Sequence, residues 1–355
     1  MRERGSASEH IGLTEGLRRR ARDTPRAPVF KFVDEDLSIV DSFDCHALAR
    51  AIDAVARHLR ENQVVAGNPI LLVYPPSLDF VTAFAGCLAV GALPVPVFPP
   101  NPLAPGHELD VLSHIAMNAT ATVALTTTPY DKLRQSSEAS AWPDVKWLCT
   151  DRLAPSETLS EWYAPEPNAP AFLQYTSGST GRPRGVVITH ASLEHQLAMY
   201  RDDLHFGPNA RMVFWVPPYH DLGLISGILA AIAGHGEATM ISPLSFLKRP
   251  SIWPEALHEF QATHTAAPNF AYDMVVRKTS PEQRAAWDLS ALQVVLSGGE
   301  PVRPKTVRAF MDAFATSGLR PEVFCPCLLY TSPSPRDFSC NLVCRLLREK
   351  RGGGG

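Results

Sequence analysis

Hydrophobic and polar positions change their period repeatedly between residues 12 and 326, and each change marks a predicted element. Apolar residues at helical spacing predict amphipathic helices over residues 44–62 and 108–120. Short apolar runs predict buried strands, for example over residues 69–75 and 121–128. Strands that alternate with helices in this way indicate βαβ units. The predicted fold class is therefore α/β, with mostly parallel sheets covered by helices on both faces.

A second series of strands and helices follows in the second half of the chain. It opens with a strand, a loop and a strand over residues 171–190. A helix over residues 191–204 comes next, and Thr189 or Ser192 is its expected N-cap. A polar, Pro-containing segment separates the two series, so a subdomain boundary is predicted near residues 155–170. Ligands of such sheets bind in the loops that follow the strands, and the chemistry is expected there.

The composition narrows the class of protein. Hydrophobic residues make up 45% and charged residues 19% of the chain, which is typical of a globular protein. The formal net charge of −3 argues against a protein that binds the nucleic-acid backbone. The first residues lack the apolar core of a signal peptide, and no stretch approaches the ~18 apolar residues of a membrane span. With 7 Cys and no secretory signal, we expect a cytoplasmic protein with reduced thiols.

The first loop of the second series has the strongest chemical signal. It reads YTSGSTGRPRG from Tyr175 to Gly185, so Gly, Ser, Thr and Arg are concentrated in it. Gly lets successive backbone N–H groups turn toward one centre, and such a nest with hydroxyl and guanidinium groups suits a polyphosphate. The loop lacks the G-K-[ST] of a Walker loop, and a flexible surface loop is the alternative interpretation. The candidate phosphate-binding residues are Thr176, Ser177, Gly178, Ser179, Thr180, Gly181, Arg184 and Gly185.

This loop resembles the phosphate-binding loop of the adenylate-forming enzymes, which include acyl-CoA synthetases, peptide-synthetase adenylation domains and fatty acyl-AMP ligases. The family usually has Lys at the position of Arg184. Arg keeps the positive charge, but it is a planar fork rather than a compact ammonium group. The resemblance therefore implies phosphate binding with an altered geometry.

Three further segments resemble family motifs and follow in the family's order. The motif whose His–Asp pair lies beside the forming acyl-phosphate bond is matched by WVPPYHDLGLISGIL at residues 215–229. The segment that lines the acyl pocket is matched by APNFAYDM at residues 267–274, and the turn that contacts adenine by LSGGEPV at residues 296–302. The resemblance implies pocket residues His220, Asp221, Asn269, Phe270 and Tyr272, and adenine contacts Gly298, Gly299, Glu300 and Pro301.

The residues alone leave two interpretations of His220 open. It follows a predicted strand and precedes a Gly-containing helix start, so it could donate to a carboxylate or phosphate oxygen there. The alternative is a structural His without a chemical role. The motif around it favours the first interpretation.

The long stretches between these motifs resemble fatty acyl-AMP ligases most, from about residue 12 to residue 326. This resemblance implies the large N-terminal domain of the family, built from two related layered α/β subdomains and ending before its β-barrel part and C-terminal domain. It also implies that a fatty acid reacts with ATP to give acyl-adenylate and pyrophosphate, with Arg184 and His220 in catalytic roles and Mg²⁺ bridging the phosphates.

The acyl group would then pass to the phosphopantetheine of an acyl carrier protein. An acyl-CoA ligase, a peptide-synthetase adenylation domain and a non-catalytic nucleotide- or acyl-binding module are the alternatives.

The pattern breaks after Pro326, where the family motif Tyr-Gly-x-Ala/Thr-Glu should follow. Residues 327–355 read CLLYTSPSPRDFSCNLVCRLLREKRGGGG instead. A disordered tail is one interpretation, and a thiol metal site is another, formed by Cys325, Cys327, Cys340 and Cys344. The favoured interpretation is a translated sequencing adapter, because the letters back-translate in one frame to its constant segments in order. We therefore predict a partial adenylation domain over residues 12–326, a non-native segment after it, and an inactive fragment without an assigned metal ligand.

Overall fold

The computed structural model describes residues 12–104, 106–137, 142–176 and 182–326. The strands in this part of the chain are β1 (Pro28–Val33), β2 (Ile39–Asp44), β3 (Pro69–Leu72), β4 (Leu93–Pro96), β5 (Val123–Thr126), β6 (Lys146–Cys149), β7 (Pro170–Thr176), β8 (Arg184–Thr189), β9 (Arg211–Phe214), β10 (Glu237–Ile241), β11 (His264–Ala267), β12 (Val294–Ser297) and β13 (Phe324–Pro326). The helices are α1 (Leu13–Asp23), α2 (Cys45–Glu61), α3 (Asp79–Ala89), α4 (His107–Ala119), α5 (Thr128–Gln135), α6 (His190–Asp203), α7 (Ala230–Ala233), α8 (Pro243–Lys248), α9 (Ile252–Glu259), α10 (Asn269–Lys278), α11 (Pro281–Ala286) and α12 (Pro304–Ala313). A π-helix, Leu222–Leu229, precedes α7.

The largest sheet has seven strands in the order β13-β12-β11-β9-β10-β1-β2. Its neighbours are parallel except for β1 and β2, which form an antiparallel hairpin at one edge. A second sheet has four parallel strands in the order β4-β3-β5-β6, and β7 and β8 form a separate antiparallel hairpin. The prediction of an α/β fold with mostly parallel sheets is confirmed. Strands β5, β11 and β12 are buried along their whole length, as expected of strands covered on both faces.

The N-terminal hairpin joins strands from the second half of the chain. Strand β1 pairs with β10 in parallel, with Phe30 opposite Ala238 and Val33 opposite Ile241. The segment near residues 155–170 lies between the four-stranded sheet and the β7–β8 hairpin. The chain leaves the four-stranded sheet at this segment. The seven-stranded sheet, however, contains two strands that precede the segment in the sequence, β1 and β2, and five that follow it.

Helices α2 and α3 approach each other closely beside the core. Asp44 caps α2 by accepting a hydrogen bond from the Ala47 N–H at 2.7 Å. Gly86 of α3 faces α2, where an added Cβ would lie 2.6 Å from Cγ1 of Val55. Because a glycine stands there, the two helices pack without a gap.

The connector between the two predicted series is fixed to α2 and is not a free linker. The guanidinium group of Arg50 donates to the Ser156 carbonyl oxygen at 2.5 Å, and Arg60 donates to the Glu161 carbonyl oxygen at 2.8 Å. The buried carboxylate of Asp53 accepts from the Ser160 N–H and from the indole N–H of Trp162, both at 2.9 Å. The connector and α2 therefore form one rigid unit.

Replacing Asp53 with alanine is expected to lower the free energy of unfolding by about 3 kcal/mol, because buried donors lose a charged acceptor. Burial raises the pKa of the Asp53 carboxyl, but hydrogen bonds from Ser160 and Trp162 outweigh burial and leave this pKa below its usual value. A depressed carboxyl pKa contributes stability above the unfolded pKa of about 3.9, and the contribution is lost as the pH falls through the folded pKa. Urea unfolding of both proteins at neutral pH and near pH 3 measures the difference.

The exposed Asp312 on α12 supplies the matched control. Asp312→Ala should change the stability by less than about 0.5 kcal/mol at either pH. A difference between wild type and Asp53→Ala that stays constant as the pH falls would contradict the assigned role of the carboxylate.

Candidate active site

His220 and Asp221 lie in the loop between β9 and the π-helix. Nδ1 of His220 is 2.8 Å from Oδ1 of Asp221, and the Leu222 N–H donates to the same oxygen at 2.7 Å. Burial raises the pKa of Asp221, but the hydrogen bond from His220, its charge and the Leu222 N–H together lower this pKa below its usual value. Asp221 is therefore ionised at neutral pH and can only accept.

The pair fixes the orientation of the imidazole. The Leu222 N–H is also 3.2 Å from Nδ1, but its contact with Asp221 is shorter, so we assign the Nδ1 hydrogen to the bond with Asp221. The side chain of His220 is 47% exposed, which leaves Nε2 available to a ligand. As in other His–carboxylate pairs, the carboxylate orients the imidazole and determines which ring nitrogen carries the hydrogen.

The π-helix begins at Leu222, the residue directly after Asp221. Gly223 lies against the backbone of the preceding turn, where an added Cβ would overlap the Pro217 carbonyl oxygen and lie 2.6 Å from the Val216 carbonyl oxygen. Gly227 leaves room for the ring of Phe214. The sequence predicts one buried helix here, and the structure divides it into the π-helix and α7. π-Helical segments of this kind are frequently found at functional sites.

The glycine turn after β12 lies beside the loop that carries His220. Gly299 has φ of +80°, a left-handed conformation that glycine adopts without strain. A Cβ added at Gly299 would lie 3.4 Å from Cε1 of His220, so the predicted adenine turn lies beside the predicted catalytic histidine. Glu300 accepts a hydrogen bond from the Phe270 N–H at 2.6 Å, which joins the third motif to this turn. Three motifs that are far apart in the sequence therefore lie together at the carboxyl ends of strands β9, β11 and β12 of the seven-stranded sheet.

The three predicted pocket residues of α10 have different environments. Phe270 is 41% exposed, and its ring lies 6.0 Å from the ring of Trp215. Asn269 is buried, and its Oδ1 accepts from the Arg303 N–H at 2.9 Å. Tyr272 is fully buried, and its hydroxyl donates to the Leu296 carbonyl oxygen at 2.7 Å. Asn269 and Tyr272 thus hold α10 against α12 and β12, and Phe270 is the exposed one of the three.

The predicted phosphate-binding residues lie on and between β7 and β8. Ser177, Gly178, Ser179, Thr180 and Gly181 lie outside the described residues. Thr176 and Arg184 are directly opposite each other in the hairpin, and Arg184 is exposed and has no ion pair within the described part of the chain. Gly185 lies under the ring of Tyr175, where an added Cβ would come within 2.9 Å of Cζ.

The loop of His220 makes two contacts that the sequence did not predict, one with this hairpin and one with the loop after β4. Gln174 in β7 donates through Nε2 to the Tyr219 carbonyl oxygen at 3.1 Å. The ring of Phe98, which is 48% exposed, packs edge-to-face on the ring of Tyr219 at 5.5 Å. A polar amide in a buried strand and an exposed aromatic ring in a Pro-rich loop were the available signals in the sequence.

Buried polar atoms without a partner surround this site. Within the described residues, Oε1 of Gln174, Nε1 of Trp215 and Oγ of Ser297 are buried and make no hydrogen bond. Buried polar atoms in proteins almost always have partners, so these three atoms fit a site that receives a polar ligand.

A protein site for Mg²⁺ is not assembled in the part of the chain that the structure covers. No group of three or more His, Cys, Asp or Glu side chains that could hold a metal occurs among the described residues. Of the four cysteines in the alternative thiol site, Cys325 is described and free of disulfide bonds, and the other three lie outside the described residues. Among the residues with described positions, no helix is both long enough and apolar enough to cross a membrane.

The fold and the site together define a nucleotide-binding α/β enzyme. The profile of the AMP-binding enzyme family matches residues 17–323, and the chain belongs to this family.

Several of the proteins that it resembles are fatty-acid ligases. The medium-chain-fatty-acid–[acyl-carrier-protein] ligase JamA of Moorena producens (strain JHB) is 32% identical over 326 residues, which are 90% of this chain and 55% of that protein. A long-chain-fatty-acid–AMP ligase of Mycobacterium marinum is 35% identical over 288 residues, 76% of this chain and 45% of that protein. The crystal structure of a fatty acyl-adenylate ligase from L. pneumophila, in complex with acyl adenylate and pyrophosphate, superposes with a TM-score of 0.79 at 30% identity, over 91% of this chain and 56% of that one. The chain spans about half the length of the curated relatives that it matches.

Proposed function

We propose that the complete protein activates a fatty acid with ATP to form acyl-adenylate and pyrophosphate, and then passes the acyl group to the phosphopantetheine of an acyl carrier protein. The observation that carries this proposal is the closeness of His220 to Gly299, which places the segments that resemble the acyl-activating and adenine motifs next to each other. The similarity to a medium-chain-fatty-acid–[acyl-carrier-protein] ligase supports the choice of substrate and acceptor.

The chain's own residues supply positioning and charge. A carboxylate oxygen of the fatty acid attacks the α-phosphorus of ATP, and the bond from that phosphorus to the bridging oxygen of pyrophosphate breaks. Thr176 and Arg184, with the hydroxyls of the loop between them, would hold the β- and γ-phosphates. With Nδ1–H bonded to Asp221, His220 in its doubly protonated form would donate through Nε2–H to the carboxylate or α-phosphate oxygen where negative charge develops. Phe270 would form part of the acyl pocket wall.

Mg²⁺ would neutralise charge on the phosphates. We assign it no ligand from the described residues, since they bring no suitable group together. The proposed location is the cytoplasm, where ATP is present and cysteines remain reduced. The four cysteines of the described part, Cys45, Cys87, Cys149 and Cys325, form no disulfide bonds with one another.

We also propose that residues 327–355 are not part of the natural protein. Pyrophosphate release with ATP, Mg²⁺ and fatty acids of several lengths tests both proposals on two proteins, the 355-residue chain and the complete reading frame from the same genome. The complete protein should release pyrophosphate in a fatty-acid-dependent manner, and the 355-residue chain should not. Turnover of the shorter chain at a comparable rate would refute the fragment proposal.

The acceptor is identified by following the acyl group after activation. Transfer to a phosphopantetheinylated carrier protein and not to CoA supports the proposed reaction. Transfer to CoA would favour an acyl-CoA ligase instead, and an amino-acid substrate would favour a peptide-synthetase adenylation domain. Binding of ATP and fatty acid without adenylate would identify a non-catalytic binding module.

A further inference from the structure

We infer that helix α4 holds the two strand ends that carry Thr176 and Arg184, through one hydrogen bond that Asn118 accepts from Tyr175 and one that His114 donates to the Pro183 carbonyl oxygen. These residues of α4 would be positioning residues for the phosphates of ATP. The expected effect on KM for ATP rests on the proposed function. The two hydrogen bonds, which we call the clamp, are independent of it.

The β7–β8 hairpin needs support from outside its own strands. It is a separate two-stranded sheet, and an isolated two-stranded hairpin is at best marginally stable in water. Strand β8 is exposed or half-buried along its whole length, so burial contributes little at the end that carries Arg184. Strand β7 also packs against β4 and α6, so contacts from α4 are one further means by which Thr176 and Arg184 stay in register.

The first contact fixes the end of β7. The Tyr175 hydroxyl is 2.7 Å from Oδ1 of Asn118 and donates to it. On its other side, the Tyr175 ring lies on Gly185, which is its cross-strand partner in the hairpin. The ring is thus held between α4 and the backbone of β8. Thr176 follows Tyr175 directly, so its position depends on this contact.

The second contact fixes the start of β8. Nε2 of His114 is 3.2 Å from the Pro183 carbonyl oxygen. A carbonyl oxygen can only accept, so Nε2 carries the hydrogen in this contact. Arg184 follows Pro183 directly. His114 and Asn118 are four residues apart and share one face of α4, so a single rigid helix holds both strand ends.

Hydrogen exchange on the 355-residue chain tests the clamp without any assumption about function. In Asn118→Ala and in His114→Ala, peptides over residues 170–176 and 182–189 should exchange about fivefold faster than in wild type, the factor expected for one lost hydrogen bond. His114→Gln, whose Nε2 can donate in the same direction, should restore slow exchange. Unchanged exchange in both alanine variants would overturn the clamp.

Steady-state kinetics of the complete protein test its consequence. Asn118→Ala and Tyr175→Phe remove the same hydrogen bond, so each should raise KM for ATP about fivefold and leave KM for the fatty acid unchanged. The double variant should be no worse than either single variant. Additive effects, or equal changes in both KM values, would contradict a positioning role.

Tyr74→Phe is the matched control. Its hydroxyl shares a hydrogen bond of the same length, 2.7 Å, with Oγ1 of Thr150, but this bond is buried and lies beside the four-stranded sheet, which does not include the β7–β8 hairpin. This variant should lower the melting temperature and leave KM for ATP unchanged, whereas a merely structural role of Tyr175 would give the same result as the control. If wild type forms no adenylate, the proposed function fails, and the exchange experiment still decides on the clamp.

Discussion

His220→Ala should lower kcat/KM for adenylate formation by about 100- to 1,000-fold in the complete protein, without a comparable loss of thermal stability. The imidazole is oriented by Asp221 and presents Nε2 next to the Gly299 turn, where the acyl and nucleotide groups are proposed to meet. Its side chain is about half exposed, so truncation removes little packing. Fatty-acid-dependent pyrophosphate release and a melting curve, measured on the same preparation, separate the chemical effect from the structural one.

Asp221→Asn should cause a smaller loss than His220→Ala, because the amide oxygen can still accept from Nδ1 and orient the ring, while the negative charge that favours a doubly protonated imidazole is lost. His107 and Asp110 on α4 form a second His–Asp pair at 3.9 Å on an exposed surface, which makes His107→Ala the matched control. This control should keep full activity. Activity of His220→Ala within threefold of wild type would mean that the pair is structural.

The sequence was most informative where apolar runs and helical periods are long. Helix α2 and the buried strands β5 and β12 follow directly from such patterns, because burial on one or both faces leaves a regular trace. The β1–β2 hairpin has no such pattern of apolar residues in the sequence. Strand β2 is an exposed edge strand without alternation, and β1 is fixed by pairing with β10, which lies far along the chain.

The motifs predicted which residues gather at the site better than what each residue does there. His220 and Gly299 lie close together, where an added Cβ on the glycine would be 3.4 Å from Cε1 of the histidine. A motif does not distinguish a residue that lines a pocket from one that supports it, so Tyr272 was expected in the wall and lies in the core. Gln174 and Asn118 escaped prediction because their hydrogen-bond partners are distant in sequence and become neighbours only in the folded chain.

Gly223→Ala should lower the free energy of unfolding by about 3 kcal/mol or more, the range of an overpacked buried site. The new methyl group would overlap the carbonyl oxygens of Val216 and Pro217, which belong to the backbone and cannot rotate away. Gly207→Ala is the matched control, because an added Cβ there meets nothing within 4 Å. Urea unfolding of the 355-residue chain measures both variants without reference to activity.

The same substitution should also displace the histidine. The His220 N–H donates to the Pro217 carbonyl oxygen at 3.1 Å, so a shift of Pro217 away from the new methyl group moves His220 with it. In the complete protein, Gly223→Ala should therefore lose more activity than its folded fraction explains, at temperatures well below its melting point. If the activity instead follows the folded fraction, the close approach of Gly223 serves packing alone, and the position of His220 does not depend on it.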